Sequence, residues 1–267
     1  MNQEQRRKYL IEYLEQESPE EFGSIPADQS GQKDLLRGLL NVRPARPASD
    51  EFLKIQDEYL QAEIAEAGIF DASELQPLCG SLCLWQGDIT TIKCDAIVNA
   101  ANSGLTGCWI PNHKCIDNCI HTFAGVQLRL DCNEIIEKQG YTEPFGTCQI
   151  TSAYNLPCKH VLHTVGPIVQ GELTDEHREL LASCYKSCLQ TAAEHGLKSV
   201  AFCCISTGVF CFPNEEAAKI AIKTCQEFTK NPTSIEKIIF NVFLDKDKKI
   251  YERLLRDEKQ EAAQVFL

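Results

Sequence analysis

The stretch LCLWQGDITTIKCDAIVNAAN, residues 82–102, decides the fold. It holds two apolar runs, LCLWQ and AIVNAA, each the length of a buried strand. Each meets polar residues that suit a turn: Gly87 and Asp88 after the first, Asn99 and Asn102 around the end of the second. Downstream the same kind of run returns as TCQITSAY, HVLHTV, SVAFCCI and KIIFNVFL. Between them lie amphipathic segments that read as helices beginning near Cys115, Thr174, Pro213 and Lys246. Thr174 stands ahead of Asp175 and Glu176 as an N-cap, and Gly196 suits the chain reversal after that helix. Strands alternating with helices are the pattern of a three-layer α/β domain.

Residues 1–74 differ from this in composition. They carry 16 acidic against 8 basic side chains, most of the net charge of −12. Their apolar residues recur at helical spacing in three sets: Tyr9, Leu10, Tyr13 and Leu14; Leu35, Leu36, Leu39 and Leu40; Phe52, Ile55 and Tyr59. The proline-bearing stretches SPEEFGSIP and NVRPARPAS separate the sets, because proline interrupts a continuous helix. The expected organisation is a small helical N-terminal extension over 1–74 and one α/β domain over 75–267.

Several function classes are disfavoured. No apolar run approaches the roughly 18–20 residues of a membrane span. The N-terminal residues lack the apolar core and cleavage site of a secretory signal, so a cytoplasmic location is expected. The 15 cysteines are spread along strands and helices rather than framing a short loop-rich fold, which points to reduced thiols. A net charge of −12 disfavours binding a nucleic-acid backbone, although a small anion can still be held by local backbone dipoles.

Three motifs sit where strands end, the usual place for ligand sites in open α/β sheets. Gln86-Gly87-Asp88-Ile89-Thr90 follows the first strand, and taken alone it reads first as a plain turn capped by Asp88. Asn99 and Asn102 offer donors and acceptors for ribose hydroxyls, or simply close a turn. Ser206-Thr207-Gly208-Val209-Phe210 leaves a strand and enters a helix. Its backbone amides suit a pyrophosphate, while Phe210 either covers a sugar face or belongs to the core. Between these lies Cys108-x4-His113-x-Cys115, two thiols and an imidazole compact enough to share one transition-metal ion, for which zinc is the natural choice. Three protein ligands leave a position for water or substrate. Cys119 and His121 are both near enough along the chain to be a fourth, and the metal-free reading is a set of buried thiols in a cysteine-rich protein.

In order and spacing, QGDIT, NAAN, His163-Thr164-Val165-Gly166-Pro167 and STGVF resemble the macrodomain family from about Leu82 to the C-terminus. The segment Gly107–Asn118, with its CIDN and IH-x-x-AG continuation, resembles the zinc-containing subgroup. The resemblance implies a three-layer α/β/α fold with a mixed central sheet and a cleft for ADP-ribose. It implies that Asp88 bonds the adenine amino group beside Ile89, that Asn99 and Asn102 face the distal ribose, and that Ser206, Thr207, Gly208, Val209 and Phe210 wrap the diphosphate. Phe243 is a weaker candidate for stacking near adenine. It also assigns zinc to Cys108, His113 and Cys115, leaves His121 structural, and makes Asp117, near a helix start, the acidic residue beside the distal ribose. The expected activity is zinc-dependent hydrolysis of mono-ADP-ribose from modified proteins, with zinc holding ribose or water, Asn102 fixing the ribose and Asp117 acting as base or orienting group. The competing readings are a non-catalytic ADP-ribose reader, an O-acetyl-ADP-ribose deacetylase, and a zinc-braced interaction module.

Overall fold

The structure is a computed structural model that describes residues 1–17 and 24–264. Helices α1 (Gln3–Glu17), α2 (Gln29–Val42) and α3 (Asp50–Ala67) come first, followed by the short strand β1 (Phe70–Asp71). The chain continues through β2 (Leu82–Gln86), β3 (Ile92–Lys93), β4 (Ala96–Ala100), α4 (Ile116–Ala124), α5 (Val126–Gln139), β5 (Cys148–Ser152) and β6 (His160–Thr164). It ends with α6 (Asp175–Glu194), β7 (Ser199–Phe202), α7 (Asn214–Thr229), β8 (Lys237–Val242) and α8 (Asp245–Gln264). Of the SPEEFGSIP separator, residues 18–23 lie outside the described residues.

Six strands form one sheet in the order β2-β8-β7-β4-β6-β5. All neighbours are parallel except β5, which runs antiparallel to β6, so the sheet is mixed. Its central strands are apolar on both faces, as a sheet covered by helices on both sides requires: Ala96, Ile97 and Val98 of β4 are fully buried, as are Val200 and Ala201 of β7. The connection from β4 to β6 runs one way along the sheet, whereas those from β6 to β7 and from β7 to β8 run the other. Right-handed crossovers therefore put α4 and α5 on one face and α6 and α7 on the opposite face, where α7 in turn packs on α8. Neighbouring β4 and β7 are thus followed by helices on opposite faces. Their C-terminal ends are the topological switch point of the sheet, where open α/β sheets place a ligand crevice.

The N-terminal helices have a cluster of their own, in which Leu10, Ile11, Leu36, Leu39, Phe52 and Leu60 are buried. Phe52 is 0% exposed, and burying a side chain of this kind contributes about 1.5–3 kcal/mol. Asp28 caps α2 at the Gly31 amide, and Ser49 caps α3 at the Phe52 amide. The three helices are held to the sheet domain through α4, the Ile89–Thr91 turn and hydrogen bonds to α5. The break between those two falls at Gly125, whose φ of +102° admits few other residues. A Cβ there would lie 2.6 Å from Gln56 Nε2, on the α3 side of the junction. Among the described residues no helix is long and apolar enough to cross a membrane.

Candidate active site

Strand register builds the floor of the crevice. Asn99 of β4 lies directly beside His163 of β6, and both are fully buried. The Asn99 amide nitrogen has two hydrogens and two acceptors, Asp117 Oδ1 at 2.8 Å and His163 Nδ1 at 3.2 Å. With Nδ1 accepting, the His163 proton sits on Nε2 and donates to Thr151 Oγ1 at 3.0 Å. Beyond the strand, Asn102 Nδ2 donates to Asp117 Oδ2 at 3.2 Å and to the Gly107 carbonyl at 3.0 Å. Asp117, on the first turn of α4, is thus held at both oxygens. Burial pushes its carboxyl up to about 6, against the lowering effect of Asn99, Arg129 and Asn102.

The same network makes a stability prediction. Burial drives the His163 imidazole down to about 3, so the folded protein keeps it neutral, whereas the unfolded chain binds a proton below the ordinary value of 6.5. This contribution is full above pH 6.5 and is lost as pH falls toward 3, at up to about 1.4 kcal/mol per pH unit. Urea unfolding from roughly pH 7 to pH 5 is expected to show a smaller loss for His163→Gln than for the wild type. Equal losses would mean that His163 is not held neutral.

The Gly107–Cys115 loop closes over this floor. Ligand atoms of Cys108, His113 and Cys115 all lie within 4.8 Å of one another, and Cys108 Sγ is 3.5 Å from His113 Nδ1. Cys115 is the N-cap of α4, its sulfur accepting from the Asn118 amide at 3.4 Å. Burial pushes the Cys115 thiol up to about 12, with the Cys108 sulfur adding to the rise. Two sulfurs this close are penalised as anions unless a cation lies between them, and the donor set of two thiolates and one imidazole fits zinc. Neither candidate for a fourth ligand belongs to this group. Cys119 Sγ lies 3.3 Å from Arg37 Nη2, and His121 belongs to a second, buried set with Cys132 and His163. In that set His163 already has partners on both nitrogens, so it reads as packing around the Asn99 network.

At the other end, Asp88 caps the turn Ile89–Thr91, its Oδ1 accepting from the Thr90 amide at 2.9 Å and the Thr90 hydroxyl at 2.7 Å. The residue is exposed, while Ile89 beneath it is buried. Phe243, just past β8, is 72% exposed. After β7 the chain turns sharply: Ser206 has a φ of +63°, its Oγ is buried without a partner among the described residues, and Thr207 Oγ1 donates back to the Cys204 carbonyl. Gly208 and Val209 are exposed and Phe210 is half-buried. Among the described residues the Gly208, Val209 and Phe210 amides donate to no carbonyl. Such a row of free N–H groups ahead of the N-terminus of α7 can serve as an anion cradle.

Gly166 fixes the floor of that cradle. A Cβ there would lie 2.1 Å from Ser206 Oγ and 2.7 Å from Ile205 Cγ2. Gly166→Ala is therefore expected to displace the Ser206–Phe210 loop and weaken binding of an ADP-containing ligand about tenfold or more, within the usual cost of overpacking. Adding Ser206→Gly removes the nearer clash and the strained φ, and should restore part of the affinity in calorimetry. Unchanged affinity in Gly166→Ala would show that the loop does not grip the ligand.

The structure thus brings Asn102, Asp117, Cys108, His113 and Cys115 together at the C-terminal end of β4, and sets Ser206–Phe210 after the neighbouring β7. Asn99 sits deeper than a residue lining an open cleft, since it is 0% exposed and reaches the site through Asp117. Two residues escaped sequence reasoning. Arg37 of α2 donates to the His113 carbonyl and Asn118 Oδ1, both at 3.0 Å. Arg129 of α5 donates to the Thr106 carbonyl at 2.7 Å and stacks 4.3 Å from the Trp109 ring centroid. The available signal was an Arg and an Asn, Arg37 and Asn41, among the leucines of an apolar helix face.

The family model that matches the chain is described as "Macro domain" and covers residues 98–221. A protein of Treponema medium named "Protein-ADP-ribose hydrolase" is 57% identical over 260 residues, 96% of this chain and 100% of that protein. One of the same name from Staphylococcus aureus strain MSSA476 is 49% identical over 250 residues, 92% of this chain and 94% of that protein. Among solved structures, the Trypanosoma brucei macrodomain in complex with ADP-ribose aligns with a TM-score of 0.63 at 27% identity, covering 82% of this chain and 94% of that one. The Oceanobacillus iheyensis macrodomain with MES bound aligns at 0.63 and 34% identity, covering 70% and 97%. On this likeness, which spans nearly the whole chain, and on the strand order of the sheet, the protein belongs to the macrodomain family.

Proposed function

We propose that the protein is a zinc-dependent hydrolase that removes single ADP-ribose groups from modified proteins. The observation that carries this reading is the meeting, on the first turn of α4, of a carboxylate held by two amides and a cluster of two thiols and an imidazole. The names of the full-length relatives and the nucleotide in the aligned trypanosomal structure point to the same substrate class.

On this reading Asp88 meets the adenine amino group beside Ile89, with Phe243 near the ring. The amides of Ser206–Phe210 take the diphosphate and supply binding energy remote from the reacting bond. Asn102 and Asp117 then face the distal ribose. Cys108, His113 and Cys115 would hold the metal, which supplies Lewis acidity to a ribose or water oxygen when bound. Asp117 Oδ1 is tied by the shorter bond to Asn99, so Oδ2, held more loosely by Asn102, is the atom that accepts the proton of the attacking water. The water oxygen bonds to the ribose carbon, and the electron pair of the broken bond leaves with the protein acceptor. Burial raises the basicity of Asp117, which suits a general base near neutral pH.

The test is release of ADP-ribose from a mono-ADP-ribosylated protein by enzyme of measured metal content, before and after chelation. Turnover should fall with zinc and return on its re-addition, while calorimetry shows free ADP-ribose still bound. Binding without turnover in the metal-loaded protein would make it a reader. Faster turnover of O-acetyl-ADP-ribose than of modified protein would make it a deacetylase.

A further inference from the structure

We propose that Arg37 keeps the metal site at three protein ligands by holding Cys119 out of it, an inference that rests on the zinc reading above. Cys119 follows Cys115 by one turn, so the two residues lie on the same face of α4 and the Cys119 sulfur is the thiol next in line to join the cluster. A site closed by four protein ligands leaves no position for water or substrate. Something must therefore keep the third thiol occupied.

That something comes from the N-terminal helices. Arg37 Nη2 lies 3.3 Å from Cys119 Sγ, and the same nitrogen donates to the His113 carbonyl and to Asn118 Oδ1, both at 3.0 Å. One NH2 group with two hydrogens thus faces three acceptors, so at least one hydrogen is shared between two of them. Asn118 extends the grip, its Nδ2 donating to the Cys108 carbonyl at 3.3 Å and the Ile110 carbonyl at 3.0 Å, and its backbone amide to Cys115 Sγ. A single side chain of α2 therefore touches, directly or through Asn118, the residues carrying all three ligands and also the thiol that is left out. Asn41, one turn further along α2, keeps the helix in register with the loop: its Oδ1 accepts from the Asn112 amide at 3.0 Å and its Nδ2 donates to Thr122 Oγ1 at 2.9 Å. An Arg–sulfur hydrogen bond uses sulfur electron density that a soft metal would otherwise take. Arg37 is on this account a positioning residue that sets coordination number, and the N-terminal helices are part of the active site.

Cobalt in place of zinc reads the number of thiolates directly, through the intensity of the sulfur-to-cobalt charge-transfer band. The wild type should show a two-thiolate band. Arg37→Met should raise it by about half as a third sulfur joins, slow metal loss to a chelator, and lower turnover. Arg37→Met/Cys119→Ser should return the band to wild-type intensity. Arg37→Gln, whose amide ends two bonds short of the Arg37 Nη2 position and so no longer reaches Cys119, serves the same purpose if Arg37→Met does not fold. A band unchanged in the Arg37 variants, or a gain that survives Cys119→Ser, overturns the proposal while leaving the zinc reading intact. A wild type with no sulfur-to-cobalt band overturns both.

Discussion

Asp117→Asn is expected to cut release of ADP-ribose from a modified protein by about 10²- to 10⁴-fold, the usual weight of a positioned acid–base group, while affinity for free ADP-ribose stays within a few-fold. The substitution preserves volume and keeps one oxygen to accept from Asn99, which lies 2.8 Å from Oδ1 in the wild type. It removes the atom that takes up the proton, and it sets an amide nitrogen against the Asn102 amide, which its bonds to the Gly107 carbonyl and the Gly104 amide keep from turning over. Stability is expected to move the other way. Burial holds the Asp117 carboxyl up at about 6, so carrying it ionised at neutral pH costs the metal-free fold free energy that a neutral amide does not. Single-turnover assays paired with thermal melts of the metal-free proteins check both halves. A turnover loss below about tenfold would remove Asp117 from the chemistry, and a large drop in melting temperature would make it a structural residue.

Such an opposition between activity and stability would mark a site whose polar groups are arranged for a reaction. Some parts of the molecule are legible in sequence and others are not. Strands β2, β4, β6 and β8 lie inside the apolar runs that predict them, because a short apolar run bounded by turn residues is a local signal. Thr174 caps α6 through the His177 amide as its position implies. The antiparallel direction of β5 and the order of the six strands carry no such local signature, since they are set by pairings between residues far apart in the chain. The single helix expected to begin near Cys115 is instead two, α4 and α5, because Gly125 interrupts it with a left-handed φ and a close approach to Gln56.

The candidate site divides along the same line. Asn102, Asp117 and the Cys108–Cys115 loop fall within 16 residues of one another, so spacing alone brings them together. His113 and Arg37 are 76 positions apart, and Arg129 lies 86 positions from the Arg43 carbonyl to which it donates at 2.6 Å. Long-range hydrogen bonds of this kind leave no periodicity in the sequence. The acidic composition of residues 1–74 suggested an appendage and hid the one arginine of α2 that faces the loop.

Cys115→Ser is the second large effect, because one atom of this residue serves two purposes that the substitution separates. The sulfur caps α4 at the Asn118 amide and belongs to the proposed metal cluster. Serine is among the best N-cap residues, and its hydroxyl reaches the same amide, so the metal-free variant should melt no lower than the wild type. Its hydroxyl is a far poorer ligand than a thiolate for zinc, and affinity is expected to fall at least about 100-fold, or roughly 2.8 kcal/mol. At a zinc concentration about 100 times the wild-type Kd, the wild type gains about 2.7 kcal/mol of stability by mass action, while a variant bound 100-fold more weakly gains only about 0.4 kcal/mol. Denaturant melts with and without zinc measure both quantities. Equal stabilisation of the two proteins by zinc would exclude Cys115 as a ligand. A metal-free variant that melts well below the wild type would instead make packing, rather than capping, the structural role of the sulfur.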